Sequence, residues 1–292
     1  MVGRPLLIQG HRGARGLQPE NTLPSFEAAL DAGANSLEAD VHLTADGVPV
    51  LIHDPQIAVL PRGSDAVWVH ELTLAQICLL RIDPNARAQR FTDQRAEPSV
   101  LVNRLAWDWN GDSYRVPSLA DLLILLAAYE GDQGRRAGKT DVQRANAAKA
   151  IIDLDIKRRP FRDAPKAGDL ENAILEDTRK HRMVERTWVR SFDHRIVRRL
   201  RQIEPRLTGV VLIEGTAPVD PVAMVRAEDA QVYAPDYLYL DEERVRQCHA
   251  AGIRVMPWTV NDADDWNRLI TWGVDGITTD YPDRLAAHLR EK

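Results

Sequence analysis

The chain has only two cysteines, Cys78 and Cys248, in 292 residues. They stand far apart in apolar, helix-like stretches without metal-ligand spacing. This excludes a disulfide scaffold and a zinc site, and leaves reduced, buried thiols as the expectation. There is no excess of positive charge: 38 basic residues face 43 acidic ones, a net charge of −5, which argues against a nucleic-acid partner. No apolar run reaches the roughly 20 residues that a membrane span needs. The N-terminal run Met1 to Ile8, which leads into polar Gln9-Gly10-His11, has too few apolar residues for a signal peptide. With 44% hydrophobic and 28% charged residues, the chain reads as a soluble globular protein of a reducing compartment, and a cytoplasmic location is expected. It shows no internal repeat.

What is present is alternation. Short apolar runs take turns with longer runs of period 3.6, the pattern of parallel strands joined by crossover helices. Strands are predicted at Leu6 to Gly10, Ser36 to Leu43, Ala150 to Ile156, Thr187 to Phe192, Gly209 to Ile213, Gln231 to Ala234, Arg254 to Val260 and Gly276 to Thr279. A helix is predicted from Leu23 to Ala32, with Asn21 or Thr22 as N-cap, Pro24 in the first turn and Gly33 past the end. Others are expected at Leu170 to Arg182, Arg195 to Ile203 and Asp241 to Ala251. Thr44-Ala45-Asp46-Gly47 is a turn signal, and Val48 to His53 is a returning extended run. A turn centred near Asp46 brings position 53 opposite positions 39 and 40, which places His53 beside Glu38 and Asp40.

Eight such strands fit a TIM-type (β/α)8 barrel forming one domain over residues 1–292, although alternation alone also fits a doubly wound open sheet. Between about residues 55 and 116 the alternation lapses. Leu72 to Leu80 reads as helical, and a loop rich in Pro, Arg and Asp leads to Trp107-Asp108-Trp109-Asn110. A small inserted cap is expected there, its tryptophans either walling a pocket or fixing the insertion to the barrel. Gly131 to Ala148 reads as a polar, mobile loop, and the Arg-rich stretch from Arg179 to Arg201 as solvated helix faces.

Polar residues collect at strand ends: His11-Arg12-Gly13, Glu38-Ala39-Asp40 with His53-Asp54, and Asp153-Leu154-Asp155-Ile156-Lys157. Side chains two apart on a strand point to one face, so Glu38 and Asp40 can share a cation, and Asp153, Asp155 and Lys157 align likewise. Glu38, Asp40 and Asp155 make an all-oxygen ligand set for a hard divalent ion, Mg²⁺ or Ca²⁺, with Asp153 in support. His11 and His53 are the candidate acid and base, since imidazole titrates nearest neutrality. Arg12, by its fork, and Lys157, as a point charge, are placed to hold phosphate oxygens. Cleaving a phosphodiester requires this set: a cation, donors for the anion and a proton for the leaving alkoxide. Glu20 and Asn21 read equally as site support or helix capping, Asp54 as orienting its loop or structural, and Asp280 as fixing the barrel rim. His42, His70, His181, His194, His249 and His288 match no motif.

The order and spacing of His11-Arg12-Gly13-Ala14, Pro19-Glu20-Asn21-Thr22, Glu38-Ala39-Asp40-Val41, Thr44-Ala45-Asp46-Gly47 and His53-Asp54 resemble the glycerophosphodiester phosphodiesterase family. So do Asp153 to Lys157, Ser191-Phe192, Trp258-Thr259-Val260-Asn261 and Thr279-Asp280-Tyr281-Pro282. The likeness spans nearly the whole chain and is weakest between about residues 56 and 150. It implies a barrel with a small insertion and metal-dependent cleavage of a glycerophosphodiester to sn-glycerol 3-phosphate and an alcohol such as choline or ethanolamine. It also implies two imidazoles acting on opposite sides of phosphorus, and Trp258 packing on the glycerol. Which imidazole does which is left open, as is the attacking oxygen: water, or the substrate's own glycerol hydroxyl. Where the family usually has Glu as third ligand this chain has Asp155, one methylene shorter, so a shifted ion or a bridging water is expected. Two rival readings are a lysophospholipase D or sphingomyelinase D-like activity on a lipid diester, and a non-catalytic phosphodiester-binding barrel. Oligomeric state is not legible.

Overall fold

The computed structural model describes residues 5–57, 67–80, 90–95, 97–106, 111–158 and 169–291. Its first elements are β1 (Leu7–Gly10), α1 (Leu23–Asp31), β2 (Ser36–Leu43), β3 (Pro49–Leu51), β4 (Gln56–Ile57), β5 (Val67–Trp68), α2 (Leu74–Ile77) and α3 (Val100–Ala106). Next come α4 (Leu119–Glu130), α5 (Asp132–Arg136), α6 (Asp141–Ala147), β6 (Ile151–Ile156), α7 (Asp169–Lys180), β7 (Thr187–Ser191) and α8 (His194–Ile203). The last are β8 (Thr208–Ile213), α9 (Pro221–Ala227), β9 (Val232–Pro235), α10 (Glu242–Ala250), β10 (Arg254–Val255), α11 (Ala263–Thr271), β11 (Gly276–Thr279) and α12 (Pro282–Arg290).

Eight parallel strands run in the order β10-β9-β8-β7-β6-β2-β1-β11. The two ends of this row meet. The Asp275 N–H donates to Val255 O at 2.9 Å, Thr278 N–H to Pro257 O at 3.0 Å, and Val260 N–H to Thr278 O at 2.9 Å. The result is a nearly closed TIM barrel rather than an open doubly wound sheet. The strand predicted to run to Val260 is laddered only as β10, because Pro257 has no N–H to offer a neighbour.

The period-two alternation of the strands sorts side chains into two cores. Outward residues such as Leu37, Ala39, Ile152, Leu154 and Val189 pack beneath the helices with Phe26, Leu122 and Ile174. Inward residues Trp188, Val210, Leu212, Val232, Ala234 and Met256 fill one side of the lumen. The other side is polar and equally buried, made of Gln9, Ser36, Asp153, Arg190 and Thr278. Gln9 ties it together: its Nε2 donates to Ser36 Oγ (2.8 Å) and Asp153 Oδ2 (3.0 Å), and its Oε1 accepts from Arg190 Nη2 (2.8 Å) and Thr278 Oγ1 (2.7 Å). Arg190 also pairs directly with Asp153.

The predicted hairpin is present. Val41 pairs with Leu51 and Leu43 with Pro49, and the Ile52 N–H donates to Asp40 O at 3.1 Å, a register that carries position 53 opposite position 39. Gly47, at φ 79°, supplies the left-handed residue of the turn. Within the stretch expected as a cap, β4 and β5 pair as a separate antiparallel ribbon, over a small cluster of Val50, Ile57, Val69, Ile77 and Val116. Trp107 and Trp109 lie outside the described residues.

Two expectations need correction. Residues 131–148 contain α5 and α6, not a loop alone: Thr140 and Gln143 form a reciprocal capping box, and Lys139 bonds Glu27 and Asp31 of α1. Polar contacts take the place of an apolar stripe there, so hydrophobic periodicity gave no signal. The Arg-rich stretch is not all solvated helix, since Arg190 lies on β7 and points into the barrel. Cys78 and Cys248 are both free thiols. Among the described residues no helix is long and apolar enough to cross a membrane.

Candidate active site

The loop after β1 is turned by two adjacent left-handed residues, Arg12 (φ 53°) and Gly13 (φ 85°). A side chain at Gly13 would meet Ser25 at 2.5 Å, so glycine is required on two counts. At Arg12 the strained backbone costs about 1–3 kcal/mol, and what it achieves is direction. The Arg12 N–H donates to Glu38 Oε2 (2.8 Å), while the guanidinium reaches Asp40 (3.0 Å) and Glu20 (2.9 Å). Glu20 also pairs with Arg15 at 2.8 Å. Asn21 donates from Nδ2 to Asp40 Oδ2 at 2.7 Å, and the helix cap is Thr22, which accepts from the Ser25 N–H. Glu20 and Asn21 are therefore placed as supports of the polar cluster, not as caps.

Asp40 of β2 is paired in register with Asp155 of β6. One oxygen from each of Glu38, Asp40 and Asp155 lies within 4.8 Å of the others, and all three residues are buried. Burial tends to raise the Asp40 pKa, but Arg12, Lys157, His53 and Asn21 together hold it well below the usual carboxylate range. Glu38 goes the other way: burial and then the charge of Asp40 raise it, against Arg190. Asp155 is also raised, by burial first, with Lys157 opposing and Asp40 adding. Asp155 Oδ1 is buried without a hydrogen-bond partner among the described residues. Three crowded carboxylates, two of them with raised pKa values, and an unpaired oxygen fit a hard divalent cation. Asp153 stands below them, committed to Gln9 and Arg190.

Lys157 Nζ lies 3.0 Å from Asp40 and 2.5 Å from Asp155. Burial opposes its charge, yet Asp155 and Asp40 raise its pKa, so it is a fixed cation; Arg12 is likewise, through Asp40 and Glu20.

His11 Nδ1 is 2.7 Å from Asp280 Oδ1. Burial works against the Asp280 charge, but the bond from His11, the charges of His11 and Arg15, and the Nδ2 of Asn261 (2.9 Å) hold its pKa down to about 2. An ionised Asp280 accepts a hydrogen bond from Nδ1–H, which leaves Nε2 as the lone-pair nitrogen. Burial, joined by the charges of Arg12 and Arg15, lowers the His11 pKa against the opposing pull of Asp280, which favours the neutral ring. Asp280 thus does more than fix the rim. His53 is half-buried, its Nδ1 2.7 Å from Asp54 Oδ1, and its carbonyl accepts from His42 Nε2 at 3.1 Å. His42 carried no motif and nonetheless anchors the His53 backbone.

One open cleft of about 450 Å³, its mouth included, gathers all eight residues singled out from sequence: His11, Arg12, Glu38, Asp40, His53, Asp155, Lys157 and Trp258. Arg190, Phe192, Leu212, Glu214 and Thr278 complete the lining, and sequence reasoning gave none of them a site role. Trp258 Nε1 donates to Ala234 O at 3.1 Å, and its ring stands edge to face with Phe192, centroids 6.1 Å apart.

Comparison with known proteins points to one family. The profile of the glycerophosphoryl diester phosphodiesterase family matches residues 11–284. The glycerophosphodiester phosphodiesterase of Bacillus subtilis (strain 168) is 27% identical over 290 residues, covering 95% of this chain and 84% of its own. That of Caldanaerobacter subterraneus subsp. tengcongensis is 26% identical, with 98% of each chain covered. Among solved structures, a candidate glycerophosphoryl diester phosphodiesterase of Silicibacter pomeroyi superposes with a TM-score of 0.80 at 32% identity, over 99% of this chain and 95% of that one. An Oleispira antarctica phosphodiesterase, solved with the product sn-glycerol-3-phosphate, shares the fold at 20% identity with a TM-score of 0.71, over 97% and 96% of the two chains.

Proposed function

Because the chain belongs to the glycerophosphoryl diester phosphodiesterase family, we propose that it hydrolyses a glycerophosphodiester to sn-glycerol 3-phosphate and an alcohol, as one barrel domain with residues 55–116 inserted. The observation that carries this reading is the convergence of two imidazoles, two fixed cations and three carboxylates on one cleft. Arg12 and Lys157 hold the phosphate oxygens. Glu38, Asp40 and Asp155 would hold Mg²⁺ or Ca²⁺, which would supply Lewis-acid stabilisation of the charge that develops in the diester. His11, kept neutral and oriented by Asp280, accepts the proton of the attacking oxygen at Nε2, and His53 at the mouth donates one to the leaving alcohol. Trp258 packs on an apolar part of the substrate.

The test is incubation with glycerophosphocholine and Mg²⁺ or Ca²⁺, following choline and glycerol 3-phosphate. Absence of product from several diesters under every divalent ion tried would leave a non-catalytic binding barrel. A second reading, cleavage of a lipid diester, has support from exposed Phe192, Val219, Leu238 and Tyr239 on loops after β7, β8 and β9. A strong preference for lysophosphatidylcholine over glycerophosphocholine would favour it.

Two variants probe the supports. Asp280→Asn is expected to lower kcat about tenfold or more by loosening the tautomer and orientation of His11, with a changed acid limb in the pH profile. An unchanged profile would make Asp280 purely structural. Asp155→Asn is expected to raise the dissociation constant for the divalent ion by about tenfold or more, read by titration calorimetry of the protein with the metal alone; an unaltered constant removes Asp155 from the ligand set.

A further inference from the structure

We infer that segment 90–95, within the stretch proposed above as an insertion, acts on the reaction without lining the cleft: it clamps the loop after β1, and Arg15 is the positioning residue through which the clamp reaches His11 and Arg12. This rests on the phosphodiesterase reading above and adds a residue and a contact that govern the same site.

Arg15 is not part of the cleft lining, yet it is buried beside two carboxylates that support the cleft. Its Nε lies 2.8 Å from Glu20 Oε2, and Glu20 Oε1 holds the Arg12 guanidinium at 2.9 Å. Its Nη1 lies 3.6 Å from Asp280 Oδ1, the atom that accepts from His11 Nδ1, and 3.3 Å from that nitrogen. One guanidinium thus spans the carboxylate that fixes a phosphate-holding cation and the carboxylate that orients the base. A planar fork can serve both at once, whereas an ammonium is a single point of charge.

Residues 91–95 hold Arg15 and its loop in place. Phe91 is buried, and the Arg15 guanidinium carbon stands over its ring at 4.8 Å from the centroid, a cation–π contact shielded from water. Gln94 Nε2 donates to Arg15 O at 3.0 Å and to Gln18 O at 2.8 Å, and the Arg95 N–H donates to Leu17 O at 2.8 Å. Two residues of the segment therefore satisfy three carbonyls of one loop. The loop has little room to give: a side chain at Gly16 would overlap the Tyr281 ring, and the Gly16 N–H donates to Asp280 O at 2.8 Å. A change at Phe91 or Gln94 is accordingly passed to Arg15, and from Arg15 to Glu20 and Asp280.

The test is kinetic and structural. Arg15→Met leaves Glu20 with Arg12 and Asp280 with Asn261, so the fold survives, and kcat on glycerophosphocholine is expected to fall about tenfold to a hundredfold, the scale of a 1 Å misplacement of reacting groups. Phe91→Leu keeps an apolar side chain without the ring and should lower kcat about threefold to tenfold; Gln94→Met should act in the same direction. In the Arg15→Met background neither should cost anything further. Ile77→Val, in the separate apolar cluster of the same stretch, is the control: it should lower the melting temperature and leave kcat at the parent value. Hydrogen exchange read by mass spectrometry does not depend on turnover, and Phe91→Leu should speed it in residues 11–21 while β6 and β7 stay as in the parent. Losses that add in the double variants, a kcat loss in Ile77→Val equal to that in Phe91→Leu, or parent-like exchange at 11–21 would each overturn the inference. A parent protein that cleaves no diester loses the hydrolase reading, and the exchange result then decides the clamp by itself.

Discussion

His11→Ala is expected to cleave glycerophosphocholine about 10²- to 10⁴-fold more slowly than the parent protein, with a melting temperature within a few degrees of it. The rate effect follows from position: the ring is buried at the cleft, held neutral, with Nδ1 committed to Asp280 and Nε2 left for proton transfer. The small stability effect follows from what remains. Asp280 keeps its bond from Asn261 Nδ2 and the nearby charge of Arg15 at 3.6 Å, so the carboxylate is not abandoned in the core. Steady-state kinetics and thermal unfolding separate the two quantities, and added imidazole should restore part of the lost rate. A variant turning over at nearly the parent rate would remove His11 from the mechanism.

The barrel was legible wherever one physical period dominated. The predicted limits of β2 and β11 coincide with those observed, because turn residues bound them: Gly33 and Thr44 to Gly47 around β2, Gly273 and Pro282 around β11. The register of His53 was legible from the Thr44 to Gly47 turn alone, since turn length fixes which residues face each other. The three carboxylates were legible as i, i+2 pairs on strands. What sequence could not display were contacts across the ring. Asp280 meets His11 across 269 residues, and no local pattern announces it. Glu20 and Asn21 sit where a cap is also plausible, and only the left-handed turn at Arg12 decides that they face the carboxylates. The signal for Arg190 was present and obscured by its arginine-rich surroundings: it shares the inward face of a predicted strand with Trp188 and Phe192.

Arg190→Gln is expected to destabilise the protein by about 3–5 kcal/mol, the cost of leaving a buried partner charge alone, and so to lower the melting temperature by roughly 10 °C. Arg190 is fully enclosed in the lumen, bonded to Gln9 Oε1 and paired with Asp153, which is itself fully buried and otherwise bonded by Gln9. Burial acts against the guanidinium charge, and Asp153, joined by Glu38 and Asp155, outweighs it. The double variant Arg190→Gln with Asp153→Asn removes both charges while keeping hydrogen-bonding amides, and should recover at least half of the loss. Denaturant unfolding of the four proteins of this cycle gives the coupling directly. Additive effects would mean that the two charges are sustained independently, and the lumen would then hold two solvated polar groups instead of a pair. Recovery in the double variant would instead identify the floor beneath Glu38 and Asp155 as one charge-matched unit, built before any ion or substrate arrives.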